Sequence, residues 1–219
     1  MSIKAILFDH DGTLVDSEPA HFRIWRKVLS GYGVDLSEQQ YSDYYAGVPT
    51  PANALDMVSR FSIEVEPESL AREKVLAMSD FISRTAFPLM PGAGETVHRF
   101  HALGLQLAIV TGSGQEVVTA TTRTHSLQPL FKTIVSGDDV QRNKPHPDGY
   151  LLAMQRLGLS AKECLAVEDT EAGLNAAAEA GIDCLVVPND MSMHHDFSRA
   201  REKFARMDEV GEWVERRLL

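Results

Sequence analysis

Ile3-Lys4-Ala5-Ile6-Leu7-Phe8-Asp9-His10-Asp11-Gly12-Thr13 sets the architecture of this chain. Residues 3–8 form a short apolar run stopped by Asp9, the pattern of a strand buried on both faces of a parallel sheet. Two carboxylates, Asp9 and Asp11, then stand at its end with Gly12 behind them. Open parallel sheets bind ligands outside the carboxyl ends of their strands. Taken alone, Asp11-Gly12 also fits an ordinary turn. An EF-hand loop is excluded, because its glycine sits at loop position six and Gly12 is fourth from Asp9.

Similar apolar runs recur at 105–110, 164–167 and 184–187, with a weaker one at 133–136. Helical patterns fall between them at 94–103, 115–126, 147–157 and 170–180. Gly104, Gly158 and Gly181 stand where helix C-terminal glycines belong. Strands alternating with helices predict an α/β fold, a Rossmann-like parallel sheet.

Residues 17–87 break that rhythm and contain no strand run. Ser17-Glu18-Pro19 opens a helix with Phe22, Trp25 and Leu29 on one face. Ser37 and Gln40 form a capping-box pattern for a second helix, and Thr50-Pro51 reads as an N-cap and N1 proline for a third. Pro67 begins a fourth, running to about Thr85. The expected organisation is an α/β core of 1–16 and 88–219 with a helical domain, 17–87, inserted after the first strand.

Composition narrows the function. The formal net charge of −10 speaks against nucleic acid and anionic membrane surfaces, which select basic faces. A small anionic substrate remains compatible with a locally positive site. Hydrophobic residues at 44% and charged residues at 24% give a globular balance. No apolar stretch approaches the ~20 residues of a membrane span. Cys164 and Cys184 lie in apolar runs and are expected as buried free thiols. A cytoplasmic monomer is expected.

Three further segments can carry chemistry. Thr111-Gly112-Ser113-Gly114 follows the 105–110 strand and precedes a helix, so its hydroxyls and backbone N–H groups can hold an anion. Ser113 as a simple N-cap is the plainer reading. A dinucleotide fingerprint is disfavoured, because Val117 stands at the third glycine position. Lys144 lies beside Pro145 and Pro147, which fix the local backbone direction. Glu168-Asp169-Thr170 ends the 164–167 strand, and Ala172 and Gly173 open the next helix with small residues suited to close packing.

The combination is more specific than its parts. Carboxylates gathered at the strand ends repel one another without a cation. Oxygen ligands of this kind suit Mg²⁺ together with a substrate phosphate. Metal, lysine and amide donors would stabilise a transferring phosphoryl group. One carboxylate can then serve as nucleophile and a neighbour as general acid/base.

D-H-D-G-T at 9–13, T-G-S at 111–113, K-P-H-P-D at 144–148 and E-D at 168–169 occur in an order that resembles the haloacid dehalogenase superfamily, in its β-phosphoglucomutase-like phosphatase branch. The resemblance covers nearly the whole chain, and 17–87 is similar to the family's cap domain. It implies that Asp9 attacks phosphorus and that Asp11 protonates the leaving oxygen and later deprotonates water. It implies Mg²⁺ held by Asp9, the Asp11 carbonyl and Asp169, with Glu168 directly or through water. Thr111, Gly112 and Ser113 would hold phosphate, and Lys144 would bridge nucleophile and phosphate. An aspartate at position 11 implies phosphoryl transfer, not dehalogenation.

The cap would choose the substrate. His21 falls where the branch places a hinge or substrate histidine, and Lys74 falls near a cap lysine. Thr50 stands where the mutases carry an arginine for a second phosphate, which favours a phosphatase over a hexose-phosphate mutase. Segments 21–29 and 70–74 look similar to fructose-1-phosphate phosphatases of the branch. The expected activity is Mg²⁺-dependent hydrolysis of small phosphate monoesters, chiefly sugar phosphates. A receiver-like signalling module is the remote alternative. In receivers the lysine comes after the carboxylates, whereas here Glu168 and Asp169 follow Lys144.

Overall fold

In the computed structural model, which describes residues 3–218, the chain packs as two units. One comprises Met1–Asp16 and Pro88–Leu219, the other Ser17–Phe87. Among the described residues no helix is long and apolar enough to cross a membrane.

The Ser17–Phe87 unit contains α1 (Glu18–Ser30), α2 (Glu38–Tyr44), α3 (Thr50–Phe61) and α4 (Pro67–Ile82). Trp25, Leu29, Leu36, Tyr41, Ala54, Met57 and Leu70 form its own apolar core. The Ser37 capping box is made in full: Gln40 N–H donates to Ser37 Oγ at 3.1 Å, and Ser37 N–H donates to Gln40 Oε1 at 3.0 Å. Two boundaries differ from expectation. Thr50 is not an N-cap but lies inside α3, with Pro49 before it and no side-chain cap. Its hydroxyl accepts from Lys74 Nζ instead. α4 ends at Ile82, short of Thr85.

The other unit is built on six strands: β1 (Ala5–Phe8), β2 (Gln106–Val110), β3 (Thr133–Val135), β4 (Cys164–Glu168), β5 (Asp183–Val186) and β6 (Glu202–Lys203). All pairings are parallel, in the order β3-β2-β1-β4-β5-β6. The chain extends from β1 through β2 to β3 on one side, then from β4 outward on the other. β1 and β4 therefore flank the reversal of strand order, where such sheets bind ligands. Both are buried along their whole length.

Helices α5 (Ala93–Ala102), α6 (Gln115–Thr124), α7 (Asp148–Leu157), α8 (Glu171–Glu179) and α9 (Met207–Leu218) accompany the sheet. Alternation along β1 divides the faces. Ala5 and Leu7 pack with Tyr150, Ala153, Leu174 and Ala177 of α7 and α8. Phe8 stacks on Phe100 of α5 at 6.0 Å between ring centroids.

Two elements were not expected. β6 has two exposed charged residues and no apolar run, yet Arg201 N–H and Phe204 N–H bond Cys184 and Val186 carbonyls on β5. α9 carries Trp213, which is buried and meets Phe204 edge-on. Cys164 and Cys184 are free and buried.

Candidate active site

The ends of β1 and β4 place three carboxylates together. Asp9, Glu168 and Asp169 are all buried, and one oxygen from each lies within 4.8 Å of the others. Backbone pairing holds this register, with Asp9 N–H donating to Val167 O at 2.9 Å. Lys144, from the loop after β3, pairs with Asp9 Oδ1 and lies 2.6 Å from Glu168 Oε1. Tyr150 of α7 donates its hydroxyl to the same Glu168 oxygen at 2.6 Å. Asp169 accepts from Thr13 Oγ1 at 3.2 Å and from Asn189 Nδ2 at 2.8 Å.

The charge in this cluster is incompletely balanced. Three carboxylates against one ammonium leave a formal −2. Burial pushes the Asp9 carboxyl up; Lys144 pulls it down, Glu168 and Asp11 push it further up, and it comes to about 7. Burial raises Asp169 well above the carboxylate range, with Asp9 and Glu168 adding repulsion. Burial opposes the Lys144 charge, but Asp9 and Glu168 outweigh it and hold the ammonium above its ordinary value. Glu168 Oε2 is buried without a hydrogen-bond partner among the described residues. A divalent cation fits this donor set: it cancels the −2 charge and is suited to hard oxygen ligands.

Asp11 stands in a second group. Its Oδ2 accepts from Ser113 Oγ at 2.6 Å and Thr111 Oγ1 at 3.3 Å, with His10 Nδ1 at 3.2 Å. Ser113 N–H donates to Thr111 Oγ1 at 3.0 Å. Gly112 has open space where a Cβ would stand. The N-cap of α6 is Gly114, not Ser113. Asp138 accepts from Gln115 N–H at 2.8 Å, so the protein's own carboxylate serves the first turn of α6. The Gln115 N–H is thus engaged by the protein itself, while the backbone at Gly112 is open.

In the helical unit, His21, Thr50 and Lys74 also converge. Lys74 Nζ is 3.1 Å from His21 Nδ1 and donates to Thr50 Oγ1 at 3.1 Å, with the lysine buried.

Two side chains in the sheet unit have no counterpart in the sequence reading: Tyr150 and Asn189. Tyr150 falls six residues after Lys144 on a helix face that reads as core. Asn189 falls in a loop with no motif around it. Two glycines explain how the carboxylates fit. A Cβ on Gly173 would overlap the Glu168 carboxylate, and one on Gly12, at φ +81°, would overlap Asp169 Oδ2.

The family model for haloacid dehalogenase-like hydrolases matches residues 6–187, spanning these motifs. The chain belongs to the haloacid dehalogenase-like hydrolases. Within that family it falls in the phosphatase branch and is a phosphoric monoester hydrolase. Protein CbbY of Rhodobacter capsulatus is 32% identical over 208 residues, covering 91% of this chain and 92% of its own. Fructose-1-phosphate phosphatase YqaB of Escherichia coli is 33% identical over 182 residues, covering 83% of this chain and 95% of its own. The crystal structure of CbbY from Rhodobacter sphaeroides in complex with phosphate matches with a TM-score of 0.83 and 28% identity, over 95% of this chain and 96% of that one.

Proposed function

We propose that this haloacid dehalogenase-like hydrolase is a Mg²⁺-dependent phosphatase of phosphorylated sugars that works through a phosphoaspartate on Asp9. The observation that carries the reading is the buried Asp9–Glu168–Asp169 cluster, short of positive charge, beside the Asp11–Thr111–Ser113 group. A relative named for fructose 1-phosphate supports the sugar class.

In this reading Asp9 attacks phosphorus in line, and the bond from phosphorus to the sugar oxygen breaks. Asp11 gives its proton to that oxygen, so the sugar leaves as an alcohol. The Asp11 carboxylate then takes a proton from water, whose oxygen attacks phosphorus and releases Asp9 and inorganic phosphate. The Thr111 and Ser113 hydroxyls orient Asp11, and Thr111 with the backbone N–H groups that follow it would turn to the phosphate oxygens when substrate binds. Lys144 favours the ionised form of Asp9 against burial and the neighbouring carboxylates, and carries positive charge to the phosphoryl group. Asp9, Asp169, the Asp11 carbonyl and Glu168 would hold Mg²⁺, which supplies the charge that lets an anionic nucleophile meet an anionic ester.

Thr50 argues against a hexose-phosphate mutase: its short hydroxyl is engaged by Lys74 and offers no cation of its own. The test is phosphate release from a panel of sugar phosphates, fructose 1-phosphate included, with Mg²⁺ and with chelator. Release that needs Mg²⁺ and favours one or two sugars is expected. Isomerised sugar phosphate without free phosphate would establish the mutase instead. Asp9→Asn is expected to lower turnover by about 10⁴-fold or more with the melting transition retained. Undiminished Mg²⁺-dependent release by that variant would refute the nucleophile assignment.

A further inference from the structure

We propose that Asn189 is a positioning residue for the divalent cation, fixing the orientation of Asp169 and tying it to the loop after β1. The proposal rests on the reading above, that the carboxylate cluster holds such a cation.

Asn189 lies just beyond the carboxyl end of β5, the neighbour of β4 in the sheet. Its Nδ2 donates to Asp169 Oδ2 at 2.8 Å and to the Gly12 carbonyl at 3.4 Å. One amide therefore joins the end of β4 to the loop that carries Asp9 and Asp11. Which end of the amide faces Asp169 is settled by its other side. Asn189 Oδ1 accepts from Met191 N–H at 2.9 Å. Turned over, the amide would set its oxygen against a carboxylate and a carbonyl, and its NH₂ against an N–H.

The loop that presents this amide is closed on itself. Asn189 N–H donates to Ser192 Oγ at 3.1 Å, Ser192 N–H donates to Asn189 O at 3.0 Å, and Ser192 is buried. Gly12 completes the fit. A Cβ there would overlap Asp169 Oδ2 and stand 2.7 Å from Asn189 Nδ2, so backbone, carboxylate and amide are in direct contact. Asp169 thus has Thr13 on Oδ1 and Asn189 on Oδ2. A carboxylate offers about four lone-pair sites. With two taken in fixed directions, those left for a cation are also fixed. Partners of this kind orient metal ligands, and their loss costs about 10–100-fold in metal affinity.

The test uses the full chain, with Mn²⁺ as the probe, read by water proton relaxation. Asn189→Ala is expected to raise the Mn²⁺ dissociation constant by about 10–100-fold. The half-saturating Mg²⁺ for phosphate release should rise in step. kcat at saturating Mg²⁺ and KM for the sugar phosphate should stay within about threefold of wild type. Asn189→Ser keeps a short acceptor for Met191 N–H but cannot reach Asp169, so it should share the metal defect even if the alanine variant folds poorly. Asp190→Ala, at an exposed neighbour in the same loop, should bind Mn²⁺ like wild type. Wild-type Mn²⁺ affinity in folded Asn189→Ala or Asn189→Ser overturns the proposal, as does an equal loss in Asp190→Ala. Asp169→Ala separates the two readings: wild-type Mn²⁺ affinity in that variant would overturn the cation site itself.

Discussion

Gly173 shows how closely the carboxylates of the site are packed. Its Cα lies under the Glu168 carboxylate, in the first turn of α8. Alanine there meets two opposing effects. It favours helix over glycine by about 0.5–1 kcal/mol. Against that, overpacking a filled core costs about 1–3 kcal/mol when the neighbour cannot give way. Glu168 cannot easily give way, because Oε1 is held by Tyr150 and Lys144. Burial pushes the Tyr150 hydroxyl well above its ordinary value, so it remains a donor across the working pH range. Overpacking therefore wins. Gly173→Ala is expected to lower unfolding stability by about 1–2 kcal/mol in a urea titration and to reduce phosphate release. A raised urea midpoint with full activity would contradict this account of Glu168.

The elements divide into those written in local sequence and those imposed from afar. The Ser37–Gln40 capping box was legible because both partners lie within one turn, and the structure makes both bonds. Its removal should act locally: Ser37→Ala is expected to cost about 0.5–2 kcal/mol of stability and leave the rate of phosphate release unchanged. A large loss of turnover at full occupancy of the fold would mean that α2 does more than pack. Thr50 carried the same kind of local pattern and was misread, because Lys74, on another helix, takes its hydroxyl. β1, β2, β4 and β5 were legible as apolar runs, since strands covered on both faces have little polar alternation. β6 was not legible, since an exposed two-residue edge strand made of Glu202 and Lys203 buries nothing. The cluster of Asp9, Glu168 and Asp169 could be inferred, as each residue ends an apolar run. Tyr150 and Asn189 could not, since only the fold brings them to Glu168 and Asp169.

At the scale of the whole molecule, the buried carboxylates couple cation binding to stability and to pH. Folding the metal-free chain raises Asp9 from an ordinary value of 3.8 to about 7. The sign follows from linkage: between those values the folded state binds more protons than the unfolded state, so this group favours the fold at low pH. That contribution declines as pH rises from about 4 and is gone above about 7. A cation that ligates Asp9 must displace the proton, so its affinity falls as pH drops below about 7. Binding to the folded state alone stabilises by about 2.7 kcal/mol at a hundredfold excess over the dissociation constant. Mg²⁺ is therefore expected to raise the melting temperature by several degrees near pH 8 and by much less near pH 5. Scanning calorimetry with and without chelator, at fixed ionic strength, measures both shifts. Na⁺ matched for ionic strength separates specific ligation from screening of the net charge of −10. Equal Mg²⁺ shifts at the two pH values would mean that Asp9 is not among the ligands. A shift reproduced by Na⁺ alone would mean that screening, and not a bound divalent ion, stabilises the fold.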